Sequence, residues 1–155
     1  MFFEEIQVGD QMLIPETRVE KEEMLAFARR YNPVPMHTDE EYAAAARAGQ
    51  VTSSGLYTFL LIWCQYVTGD FGGAETIAGT DMRLRFTAPV FAGDVLHGVA
   101  EVLEKKERNA YNGTVRVGMD IYNQNGALVL RSETDTVVKR KSAENRAAEK
   151  EKREA

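Results

Sequence analysis

The sequence predicts an α+β domain in which a long antiparallel sheet curls around one apolar helix. Three observations carry this. A single stretch, Leu56–Val67, is apolar on every helical face, so protein must surround it. Several later segments alternate apolar and polar residues with a period of two. An Asn-Gly pair, Asn125-Gly126, separates two of them and signals a hairpin. With 155 residues the chain has room for one domain with a substantial core, and too few residues for two ordinary domains.

The elements follow in order after a short strand near the N-terminus. Glu20–Tyr31 reads as a helix, with Met24, Phe27, Ala28 and Tyr31 on one face. Asn32-Pro33-Val34-Pro35 ends it, because proline disfavours helical geometry in the residue before it. Thr38-Asp39-Glu40-Glu41 fits a capping box, with Thr38 capping a helix that runs to about Ala48 and closes at Gly49. Ser53 or Ser54 then caps the apolar helix, and Gly69–Gly73 breaks it. Met82, Leu84 and Phe86 alternate along a strand, with Arg83 and Arg85 on its other face. Asp94–Lys106 is a long strand after the Ala92-Gly93-Asp94 turn. Val115, Val117, Met119 and Ile121 mark another, and Ala127–Val138 the last. The globular domain is thus expected over residues 1–138. From Lys139 the chain is highly charged and has no apolar side chain larger than alanine, which predicts a solvated helix or a disordered tail for 139–155.

Composition excludes several classes of function. The 44% hydrophobic and 28% charged fractions are those of a globular protein, and the net charge of -5 argues against general binding to nucleic acid or to an acidic membrane surface. The charge-free stretch Ala48–Gly69 is densely apolar only from Leu56 to Val67, which is shorter than the roughly 20 apolar residues that span a bilayer. The N-terminus is acidic where a signal peptide is basic, so a cytoplasmic location is expected. The one cysteine, Cys64, falls in the apolar helix without a basic neighbour in sequence and reads as a small core residue. No cluster of His, Cys and carboxylates suggests a metal, and no glycine-rich phosphate loop appears.

Two features can carry chemistry. Of the two histidines, His97 lies within a strand and reads as structural. His37 follows a loop stiffened by Pro33 and Pro35, which limits the entropy of placing an imidazole suited to acid–base work. The second feature is Thr52-Ser53-Ser54-Gly55 at the start of the apolar helix. Free N–H groups and the positive end of the helix dipole can hold a developing oxyanion there, and glycine permits close approach. Read singly, each also suits a plain structural role, His37 as a loop histidine and the serines as a helix cap.

Taken together, Phe27–Asp39 (FARRYNPVPMHTD), Ser53–Thr58 (SSGLYT), Leu84–Leu96 (LRFTAPVFAGDVL), Glu101–Arg108 (EVLEKKER) and Asn123–Leu130 (NQNGALVL) resemble the MaoC-like dehydratases and (R)-specific enoyl-CoA hydratases. The resemblance covers nearly everything from Met1 to about Arg140. It implies a single hotdog domain, a homodimer, an acyl-CoA thioester as substrate and no cofactor beyond the coenzyme A that the substrate carries. It further implies an aspartate–histidine pair that adds water to a 2-enoyl thioester, with the N–H of the helix-start glycine polarising the carbonyl. The histidine maps to His37 and the glycine to Gly55, but the aspartate position holds Asn32, whose amide cannot exchange a proton near neutrality. On this reading His37, Asn32 and Gly55 are catalytic. Ser54 and Pro35 border the substrate, Trp63 fills space a straight acyl chain would use, and Arg83 and Arg85 suit either the phosphates of coenzyme A or a solvated or dimer-facing strand surface. The implied activity is enoyl-CoA hydration or the reverse dehydration. The alternatives are a non-catalytic or partner-dependent acyl-CoA-binding protein and, third, an acyl-CoA thioesterase, for which the apolar helix has no carboxylate.

Overall fold

The structure, a computed structural model, describes residues 1–69, 71–141, 151–152 and 154–155. Five strands, β1 (Gln11–Arg18), β2 (Thr76–Phe86), β3 (Val95–Glu107), β4 (Asn112–Tyr122) and β5 (Leu128–Lys139), form one antiparallel sheet in the order β1-β3-β4-β5-β2. Four helices, α1 (Lys21–Tyr31), α2 (Pro35–Thr38), α3 (Glu40–Ala45) and α4 (Gly55–Val67), lie between β1 and β2 in sequence. Because β4 and β5 are central, their inward positions are strictly apolar or small. Val115, Val117, Met119 and Ile121 on β4 share one core with Ile62 and Tyr66 of α4. The sheet thus wraps the apolar helix, as the alternation of the sequence predicts. Gly126 closes the β4–β5 hairpin with a φ of 77°, a conformation that side chains disfavour.

The two edges of the sheet differ. β1 carries Pro15, and its register against β3 breaks between Ile14 and Thr17. A bulge on an edge strand accommodates a residue that has no N–H to donate. β2 pairs only with β5 and is exposed along almost its whole length, with Ile77, Met82 and Phe86 about half accessible.

Four expectations need correction. α3 is capped by Asp39, whose Oδ1 accepts from the Tyr42 N–H at 2.9 Å, and not by Thr38. Pro35 starts a separate turn, α2, which takes up Thr38 as its last residue, and Thr38 Oγ1 donates to the Val34 carbonyl. α3 ends at Ala45, short of Ala48. The apolar helix α4 buries Tyr57, Thr58, Phe59, Ile62 and Tyr66 but leaves Leu56, Leu60 and Val67 exposed, so one face lacks a cover within a single chain. Cys64 shares that exposure and is not a core residue.

The ordered body also runs slightly past residue 138. Lys139 completes β5, the Arg140 guanidinium donates to Glu4, and the Lys141 N–H donates to the same carboxylate. Most of the charged tail, 142–150 and 153, lies outside the described residues. Among the described residues no helix is long and apolar enough to cross a membrane.

Candidate active site

α1 stops at Asn32 because Pro33 follows. The Asn32 N–H still bonds the Ala28 carbonyl at 2.9 Å while its own backbone leaves helical geometry. Proline at the first position of α2 then turns the chain so that His37 falls on a single rigid turn, its N–H bonded to the Val34 carbonyl at 2.8 Å. The chain next passes through α3 and returns as Val51–Ser54. That segment is pinned on both sides: Thr52 N–H donates to Met36 O at 3.1 Å, and Ser53 N–H donates to Val90 O at 2.7 Å.

This pinning sets the histidine. His37 Nδ1 lies 2.7 Å from the Thr52 carbonyl oxygen and 3.2 Å from Thr52 Oγ1. A carbonyl can only accept, so Nδ1 carries the proton and the neutral ring presents the Nε2 lone pair. His37 is half-buried and lines a cleft of about 360 Å³ together with Gly55, Thr58, Phe86 and Val90. Among the described residues no carboxylate lines that cleft, and His37 supplies its one imidazole.

Gly55 is the first residue of α4, so its N–H belongs to the turn whose donors have no partner within the helix. A Cβ there would stand 2.8 Å from the Phe86 ring, so only glycine fits without moving that ring. Thr58, one turn on, is held in place: its Oγ1 donates to Ser53 Oγ at 3.0 Å.

Asn32 and Ser54 form a pair beside this cleft. Asn32 Nδ2 donates to Ser54 Oγ at 2.9 Å. Ser54 is fully buried and is not part of the cleft wall, so its hydroxyl holds Asn32 instead of facing a ligand, and it makes no side-chain cap for α4. Asn32 is half-buried, and its Oδ1 remains able to accept.

The other expected residues lie elsewhere. Pro35 is exposed at the start of α2 and does not border the cleft. Trp63 packs with Phe59 and Tyr66, at centroid distances of 5.6 and 5.2 Å, two turns along α4 from Gly55. Arg83 and Arg85 are exposed on the edge strand β2, outside the cleft. His97 Nε2 donates to the Asn123 carbonyl at 3.2 Å and the ring stacks on Tyr122, a structural role as expected. Phe86 and Val90 belong to the site but were not singled out for it from the sequence, and Thr52 was read there as part of the helix start and not as the partner of His37. Thr52 acts through its carbonyl, which every residue has, and the other two arrive from distant segments.

A family model described as a MaoC like domain matches residues 5–123. An uncharacterized protein of Bacillus subtilis (strain 168), YdeM, is 30% identical over 141 residues, 90% of this chain and 100% of that one. A MaoC-like dehydratase from Rhodospirillum rubrum has a similar structure, with a TM-score of 0.83 and 32% identity over 91% of this chain and 98% of that one. The unliganded R-hydratase PhaJ1 from Pseudomonas aeruginosa matches with a TM-score of 0.75 and 27% identity, over 90% and 86% of the two chains. The fold, the matched span and these relatives agree: the chain belongs to the MaoC-like dehydratase family.

Proposed function

We propose that this protein hydrates 2-enoyl-CoA thioesters, or dehydrates the corresponding 3-hydroxyacyl-CoA, with His37 as its single acid–base group. The observation that carries the reading is the tether from His37 Nδ1 to the Thr52 carbonyl, which leaves Nε2 free in the cleft that also holds the start of α4. In hydration, Nε2 takes a proton from water as the water oxygen bonds to the β-carbon. The double-bond electrons move toward the thioester oxygen, and the Gly55 N–H stabilises the charge that develops there. The proton on Nε2 then passes to the α-carbon, so one water is added and His37 is regenerated. Asn32, its Nδ2 committed to Ser54, offers Oδ1 as an acceptor that positions the water. The resemblance to R-hydratase PhaJ1 supports the reaction class.

The same reading takes the protein as a homodimer. The open edge of β2 and the exposed Leu56, Leu60 and Phe86 form an apolar surface, and Phe86 also lines the cleft. A second copy seated on this surface covers the uncovered face of α4 and closes one wall of the site.

A second reading rests on Asn32. Among the described residues the cleft has no carboxylate, which also suits a protein that binds acyl-CoA without turning it over. The test is turnover of the wild type and of His37→Ala on straight-chain, branched and dicarboxylic enoyl-CoAs, followed by loss of the conjugated thioester. Turnover that collapses in His37→Ala is the expected result. Binding without turnover on every substrate overturns the hydratase reading and leaves the second.

A further inference from the structure

The free edge of β2 carries charges that the chain does not answer by itself. Asp81–Phe86 is the regular part of the strand, pairing with β5 without a break after the register shift between Gly79 and Asp81. Directly opposite residues on neighbouring strands share a face. The face turned away from α4 therefore sets Asp81 against Asp135, Arg83 against Glu133 and Arg85 against Arg131. The first and last of these are like charges, which destabilise a sheet when they stand opposite each other. On β5 both are answered from the β4 side: Arg116 bonds Asp135, and Arg131 donates to Asp120 at 2.7 and 2.9 Å. On β2 they are not. Asp81 and Arg85 are exposed, and neither makes an ion pair with a described residue. The Asp81 carboxylate accepts from the N–H of its own neighbour, Met82, at 2.9 Å.

We infer that β2 pairs with β2 of a second copy in one register, centred on Arg83, in which each Asp81 meets the partner's Arg85. The pairing rests on the homodimer reading above and not on the reaction. Two identical strands related by a two-fold axis run antiparallel, and opposite residues share a face, so the axis passes beside a whole residue. A centre at Leu84 would set Arg83 against the partner's Arg85, like against like. A centre at Met82 would give Asp81 to Arg83, which Glu133 already faces, and would leave Arg85 with Arg131 alone. A centre at Arg83 sets Asp81 against Arg85 twice, while Arg83 in each copy keeps its own Glu133 opposite. Arg131 and Arg85 then lie between Asp120 and the partner's Asp81, so an opposite charge flanks the like pair on both sides. On the other face the same register lays Met82 against the partner's Leu84. Leu84 packs on the core and Met82 is about half exposed, so this contact continues the uncovered apolar surface of α4. The added strand also offers the Met82 N–H a carbonyl, which frees the Asp81 carboxylate for the arginine.

The experiment uses Asp81→Arg, Arg85→Asp and the variant carrying both, beside the wild type. Each single change makes both symmetric contacts like-charged, and its homodimer is expected to dissociate about tenfold more readily than the wild type in sedimentation. Co-expressed in equal amounts, the two single variants bring opposite charges together at both contacts. Native mass spectrometry is expected to find about nine-tenths heterodimer where chance gives about one half. The double variant is expected to regain the wild-type dissociation constant. All the changed positions are exposed, and thermal unfolding checks that each variant folds. A wild-type dimer whose single variants mix by chance overturns the register and leaves the dimer reading standing. A double variant that stays weakened moves the axis off Arg83 and also overturns it. A wild type that is monomeric at tens of micromolar overturns the dimer reading and the register with it.

Discussion

His37 and Thr52 are joined by a 2.7 Å contact between an imidazole nitrogen and a backbone carbonyl, so the tautomer of the ring is set by the main chain. The proton on Nδ1 has one place to go, and Nε2 is the basic atom. Among the described residues no carboxylate lines the cleft wall, so kcat/KM for hydration is expected to rise with pH along a single limb. A pH series on the wild type checks this. A second ionisation on the acidic side would reveal a carboxylate acting in the reaction.

Asn32→Asp places a carboxylate where the amide now holds Ser54, and the serine hydroxyl can donate to it in turn. The variant is expected to fold normally and to add the acidic ionisation that the wild type lacks. Asn32→Ala removes the acceptor for water and is expected to lower kcat about tenfold or more while His37→Ala lowers it by about 10²–10⁴. Steady-state kinetics over pH distinguishes the three.

Gly55→Ala brings a Cβ to 2.8 Å from the Phe86 ring. The ring is about half exposed and can swing away, so the expected stability cost is about 1 kcal/mol, at the low end for overpacking. The larger effect falls on turnover, because the added methyl and the displaced ring both enter the cleft. Adding Phe86→Ala is expected to restore the melting temperature without restoring kcat, which thermal unfolding and kinetics on the single and double variants would test.

Leu60→Glu puts a charge on the uncovered face of α4. If a second copy covers that face, sedimentation will show the variant shifted to monomer, with reduced turnover. A dimer unchanged at low micromolar concentration would place the contact elsewhere.

Arg116 grips Asp135 through two hydrogen bonds of 2.7 and 2.9 Å across β4 and β5, with Glu104 on its far side. The Arg116 hydrogen bonds hold the Asp135 carboxyl below its ordinary range. A carboxylate whose folded pKa is depressed contributes stability above its unfolded pKa and loses it as the pH falls through the folded value. Asp135→Asn is therefore expected to lower stability at neutral pH and to flatten the loss of stability below about pH 4. Denaturant unfolding at a series of pH values measures both.

Much of this was legible in the sequence, and the reasons are local. Pro33 and Pro35 announce the rigid turn that presents His37, and Gly55 stands where an apolar run begins. Period-two alternation on β4 gave the wrapped sheet. What escaped had other causes. Thr38 and Asp39 are both good caps, and only the extra turn started by Pro35 decides between them. The hydrophobicity of Leu56, Leu60 and Val67 shows that this face needs a cover, but it does not show that the single chain fails to supply one. The cleft wall draws Phe86 and Val90 from beyond α4, a proximity that sequence spacing does not encode.

The bulge at Pro15 has a consequence for assembly. Strand addition between two β2 edges uses up both of them, and the composite sheet then ends in a β1 at either side. Each β1 lacks one N–H at Pro15 and breaks step with its neighbour there, so a third copy meets a poor template. Growth by edge pairing is thereby frustrated at the β1 rim, so on the proposed homodimer reading a closed pair is the expected end point.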